Sequence, residues 1–168
     1  MSEPLVLAAV ALSGSAAAAI DLRTRRVPNL LTLAIGVAGL ALAAVHVTGV
    51  TVTAALAGFA VGALLMLPGH FIGATGAGDV KLFAAIGTLL GPSHIVVAFL
   101  YTAIAGGLLA VIVAMRRRRL QETMERTAAF VRTGGSNVGE IERGTANNRF
   151  AYAPAIAIGA LAALVVGL

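Results

Sequence analysis

Residues 73–115 read GATGAGDVKLFAAIGTLLGPSHIVVAFLYTAIAGGLLAVIVAM. After Asp79 and Lys81 the stretch holds no Asp, Glu, Lys or Arg before Arg116. A run this long and this apolar has no face to offer water. At 1.5 Å per residue, ~20 such residues cross the ~30 Å hydrocarbon core of a bilayer. Gly91-Pro92 divides the run, because proline lacks an N–H and disfavours helix at the residue before it. The reading is two membrane helices, about 79–91 and about 93–115. The first is too short to cross the core alone. The Gly-rich, non-periodic GHFIGATGAGD ahead of it suggests a chain that dips below the membrane surface before its helix starts, which needs a wet cavity or packed protein around it.

Working outward, further apolar segments occur at about 4–20, 29–48, 51–69 and 150–168. The expected fold class is therefore all-α, a polytopic integral membrane protein with about six transmembrane helices in a single domain, 1–168. Composition agrees: 59% of the residues are hydrophobic and 11% charged, against about 25% charged in soluble domains, and the mean hydropathy is strongly positive. Abundant Gly and Ala suit close helix packing in lipid. The polar segment 116–149 is expected to be a loop between spans five and six.

The twelve basic residues set the orientation. Arg23, Arg25 and Arg26 follow span one, Lys81 follows the third-to-fourth connection, and Arg116 to Arg119, Arg126, Arg132, Arg143 and Arg149 lie between spans five and six. The opposite connections, near 49–50 and 91–92, have none. Basic loops stay cytoplasmic, so both termini are expected outside, with three basic connections inside. The net charge of +5 thus describes topology, and no nucleic-acid partner is inferred.

With no cysteine, disulfides, thiolate catalysis and cysteine-ligated metals are excluded. His46, His70 and His94 are scattered without metal-ligand spacing, so no metal and no cofactor is expected. His70 is read as interfacial rather than catalytic. Asp21 and Asp79 are the only carboxylates between residues 4 and 121, each at the edge of an apolar run and on the inner side of the charge-derived topology. Ionisable groups at such depth are costly and mark function. Each also has a structural reading: Asp21 could cap span one or pair with Arg23 or Arg25, and Asp79 could be the N-cap of span four. Together they fit aspartyl proteolysis, in which an ionised carboxylate activates water and a neutral one hydrogen-bonds the scissile carbonyl. Two close carboxyl groups share a proton and titrate jointly. Gly76 and Gly78 allow the backbone near Asp79 to approach closely, and Pro28 suits the first turn of span two.

Gly76-Ala77-Gly78-Asp79, followed by Val80-Lys81-Leu82, resembles the GxGD motif of the type IV prepilin peptidases. Asp21, six residues before Val27-Pro28-Asn29, resembles that family's first aspartate motif, and Tyr152-Ala153-Pro154-Ala155-Ile156 with Gly159 its last-span signature. The resemblance implies a membrane aspartic endopeptidase of the bacterial inner membrane with Asp21 and Asp79 as catalytic dyad and the GxGD loop at the cytoplasmic face. Gly76 and Gly78 would shape that loop, Pro28 and Asn29 would frame its mouth, and Lys81 would tune the charge of Asp79. The implied partner is a type IV or Flp-like prepilin with a hydrophobic N-terminal helix in the lipid, cleaved behind its basic leader. Larger members carry a cysteine-bearing domain and also N-methylate the product. This chain has no Cys and no insertion between spans one and two. It therefore resembles the short TadV/CpaA-like form, without methyltransferase activity, of Flp (Tad) pili. Two other functions are compatible with the residues: a non-proteolytic component of a pilus machine, or a small proton-coupled transporter.

Overall fold

The computed structural model describes residues 3–116 and 151–166. The expected loop 116–149 lies, beyond its first residue, outside the described residues. Those residues form five helices, α1 (Glu3–Thr24), α2 (Asn29–Ala44), α3 (Val52–Phe71), α4 (Ala77–Arg116) and α5 (Ala153–Val166), and among them there is no strand. The fold is all-helical, as the sequence indicates. Three helices, α1, α3 and α4, are long and apolar enough to cross a membrane, and α2 and α5 are shorter apolar helices.

Six apolar segments become five helices because the fourth and fifth both lie in α4. Their junction is not helical: Gly91 has φ 73° and ψ 178°, a region essentially restricted to glycine. Its extended ψ is also what a following proline favours, and Pro92 starts the next helical turn where an N–H would have no partner anyway. The chain reverses here. A Cβ placed on Gly62 of α3 would meet Phe83 O at 3.1 Å, Ala84 Cα at 3.2 Å and Ile95 Cγ1 at 3.3 Å. In a straight helix residues 83 and 95 would be about 18 Å apart. The Phe83 and Phe99 rings also meet edge to face, with centroids 6.2 Å apart. α4 is thus a helical hairpin with a first arm, 77–90, and a second arm, 92–116.

The first arm is the centre of the bundle. Every residue from Leu82 to Gly91 is buried, as expected of a helix apolar on all sides. α3 lies against it through bare backbone: a Cβ on Gly58 would overlap Gly87 O, and one on Gly87 would meet Gly58 C at 2.6 Å. α2 and α5 pack on α4, and α1 packs mainly on α5, where Gly14 faces Ala157. Outside, Leu12, Leu30 and Phe71 are 72%, 78% and 77% exposed. A hydrocarbon solvent suits that surface.

Boundaries shift where the expectations had no cap to read. α1 runs to Thr24 rather than 20, which places Asp21 in its last turn. α2 stops at Ala44 rather than 48. Pro28 is the N-cap of α2, with φ −65° and ψ 139°. Thr51 caps α3, its hydroxyl accepting from Ala54 N at 3.2 Å. α4 starts at Ala77, two residues before Asp79.

Gly91→Ala is expected to destabilise the detergent-solubilised protein by about 1–3 kcal/mol through the strained dihedrals alone. Gly87→Val adds overpacking between α3 and α4, of similar size. Thermal unfolding of both variants beside Gly107→Ala, at a glycine with open space around its would-be Cβ, checks this; equal melting of all three would refute it.

Candidate active site

Four segments meet at the end of the bundle where α1 finishes and α4 begins. The α1–α2 connection starts with Arg25 in the left-handed region at φ 53°, its N–H donating to Asp21 O at 2.7 Å. The Thr24 hydroxyl donates to Ile20 O and Arg26 O, each at 2.9 Å. This tight reversal brings Val27 against Gly78, where an added Cβ would lie 3.4 Å from Val27 Cβ and O. Lys81 Nζ donates to Asn29 Oδ1 at 3.0 Å. The two aspartate motifs are therefore joined by an apolar contact and a hydrogen bond, and Lys81 is engaged with Asn29.

Asp79 is 8% exposed. Its own N–H and that of Val80 donate to Gly76 O at 3.0 and 3.2 Å, so Gly76 holds the N-cap position and Asp79 the third helical position, not the cap itself. Asp79 Oδ2 accepts from Gly76 N at 3.0 Å, the return half of a capping box. A Cβ on residue 76 would stand 3.0 Å from that oxygen, so glycine leaves the carboxylate its place. Pro28 is the N-cap of α2 in the neighbouring connection.

Asp21 is 4% exposed. Rather than capping its own helix with its side chain, it reaches the far end of the sequence, where Oδ2 accepts from Ala153 N, the first residue of α5, at 3.1 Å. Tyr152, one residue ahead of α5, lies over Gly106 of the second α4 arm; a Cβ there would meet the phenol oxygen at 2.9 Å. Asp21 thus meets the start of α5 beside Tyr152, at the end of the bundle where Asp79 opens α4.

The sequence profile of the type IV leader peptidase family matches residues 6–111, more than half of the chain. The chain belongs to the type IV leader peptidase family. Comparison with curated proteins and with solved structures gave no match. The match to the leader peptidase family takes in both aspartates, Pro28, Asn29, Gly76, Gly78 and Lys81, and ends before α5.

Of the residues singled out from sequence, all seven lie in or beside this one cluster. Sequence reasoning placed Tyr152 and Ala153 only in a late motif and gave them no part in the site. The Ala153 contribution is a backbone amide, which no side-chain pattern reveals. The Tyr152 signal was there to find: a lone tyrosine at the mouth of an apolar segment.

The Asn29–Lys81 hydrogen bond is exposed, and such bonds are worth about 1 kcal/mol or less. A double-mutant cycle of Asn29→Ala and Lys81→Met, read by thermal unfolding, is expected to show a small favourable coupling. Strict additivity would mean that the bond does not hold the two motifs together.

Proposed function

We propose that this leader peptidase is an aspartic endopeptidase that removes the leader of a type IV or Flp-like prepilin at the cytoplasmic face. Asp21 and Asp79 are its acid–base pair. The observation that carries the reading is that two buried carboxylates, from α1 and α4, each held by a backbone amide, stand at one end of the bundle.

In a water-poor pocket two neighbouring carboxyl groups hold one proton between them. The ionised member takes a proton from water, whose oxygen attacks the scissile carbonyl carbon. The protonated member hydrogen-bonds the carbonyl oxygen as it gains charge. Collapse of the tetrahedral adduct breaks the C–N bond, and the proton taken from water passes to the leaving amine. The Tyr152 hydroxyl, one residue from the Ala153 amide that binds Asp21, is a further donor toward this charge. Each carboxylate keeps one oxygen, Oδ2, on a backbone amide, which fixes the direction in which the other faces.

Depth supports the same reading. Gly58 meets Gly87 and Gly62 meets Phe83, an antiparallel register that, extended, sets Asp79 level with Met66, about 8 Å below the end of α3 at 1.5 Å per residue. The first α4 arm is about 21 Å long, short of a ~30 Å core. A prepilin whose apolar helix stays in lipid would present its cleavage site at such a recess. We further place the chain in the bacterial inner membrane, as one domain with six membrane segments (the α4 arms counting as two), both termini outside and the arginine-bearing connections inside. We assign it to the short Flp (Tad) form without N-methylation, acting without metal or cofactor. Arg23, Arg25 and Arg26 would repel a basic leader, so their role is orientation.

Asp21→Asn and Asp79→Asn, purified to wild-type yield, should each lose about 10²–10⁴-fold or more of prepilin cleavage. Near-wild-type cleavage by either variant would remove the dyad. A membrane component without proteolytic activity predicts no cleavage by the wild type itself, and a transporter predicts ion flux in vesicles. Tyr152→Phe removes one hydrogen-bond donor and should lower kcat about tenfold, with little change in KM; an unchanged kcat would leave Tyr152 a packing residue.

A further inference from the structure

The segment 72–76 between α3 and α4 is folded back on the last turn of α3. Ala74 N and Thr75 N donate to Gly69 O at 2.8 and 3.1 Å, the Thr75 hydroxyl points to Met66 O at 3.5 Å, and Gly73 takes φ 73°. His70, in that same last turn, places Nδ1 3.1 Å from Thr75 O. A carbonyl only accepts, so Nδ1 carries the hydrogen here. The Thr75 carbonyl belongs to the peptide group whose amide is Gly76 N, and that amide donates to Asp79 Oδ2 at 3.0 Å. One planar unit thus has an imidazole on its oxygen and an aspartate on its nitrogen.

We propose that His70 is a positioning residue for Asp79, acting through the Thr75–Gly76 peptide group. The proposal rests on the dyad reading and adds a residue to it. Because the peptide unit is planar, fixing the direction of its C=O fixes the direction of its N–H. A hydrogen bond accepted by the carbonyl also polarises the amide and strengthens it as a donor. His70 therefore aims Gly76 N–H at Asp79 Oδ2 and so sets the orientation of the carboxylate. Without it the loop loses the donor that holds this carbonyl, and the peptide group is free to tilt. The role requires an N–H at the position of Nδ1 and no positive charge. An asparagine, whose Nδ2 falls close to that position, meets the requirement, whereas an apolar side chain does not.

The test uses the full-length protein and a synthetic prepilin peptide, with kcat and KM measured for His70→Phe, His70→Leu and His70→Asn. Phe keeps the ring volume, so it separates loss of the donor from loss of packing. Losing one aimed hydrogen bond is expected to lower kcat about fivefold to tenfold in the two apolar variants while KM moves less than about twofold. Asn should bring kcat back to within about twofold of wild type. The proposal is overturned if His70→Phe turns over like wild type, if His70→Asn is no better than His70→Phe, or if the loss appears in KM instead of kcat. Asp79→Asn is run beside them. If that variant cleaves, the dyad itself fails. If it is inactive while His70→Phe is fully active, only the positioning role falls.

Discussion

A carboxylate taken out of water must find donors within the protein, or its burial costs several kcal/mol. Asp21 and Asp79 both find them in backbone amides at helix starts, Asp21 at Ala153 and Asp79 at Gly76. These bonds do more than satisfy two buried carboxyl groups. The first ties the last turn of α1 to the first turn of α5, across nearly the whole chain. The second ties Asp79 to the loop that α3 holds in place. The site is therefore held from the backbone, which does not swing as side chains do.

That arrangement requires helices closer together than ordinary side chains allow. Gly58 against Gly87, Gly14 against Ala157 and Gly159 against Thr102 and Ala98 supply the approach. In lipid there is no hydrophobic drive between helices, so such close van der Waals packing is what holds them. The first arm of α4 is surrounded as a result, and Asp79 at its tip is buried although the arm is short. The reversal at Gly91 serves the same end, because it lets one helix–turn–helix provide both the centre of the bundle and the wall on which α5 rests.

Much of this was legible. The Gly91-Pro92 break, the helical class and the gathering of Asp21, Pro28, Asn29, Gly76, Gly78, Asp79 and Lys81 each have a local sequence signal: an apolar run, a proline, a charge at its edge. The misplacements were also local in origin. A first charge after an apolar run suggests that α1 ends before Asp21, yet a buried carboxylate with a donor from α5 does not stop a helix. Asp79 has the residue type of an N-cap, yet Gly76 takes the cap and Asp79 folds back on it.

Residue chemistry alone determined that this chain is helical and apolar on its outside, that it breaks at Gly91, and that two aspartates stand where charge is costly. Those properties follow from hydropathy, from proline and glycine dihedrals and from the solvation of charge, all of them local. Only the tertiary structure decided that Asp21 meets the start of α5, that Tyr152 lies over Gly106, and that one peptide group stands between His70 and Asp79. These contacts depend on backbone N–H and C=O groups, which every residue carries alike. Their pairing is set by helix packing in three dimensions and leaves no mark in the order of side chains.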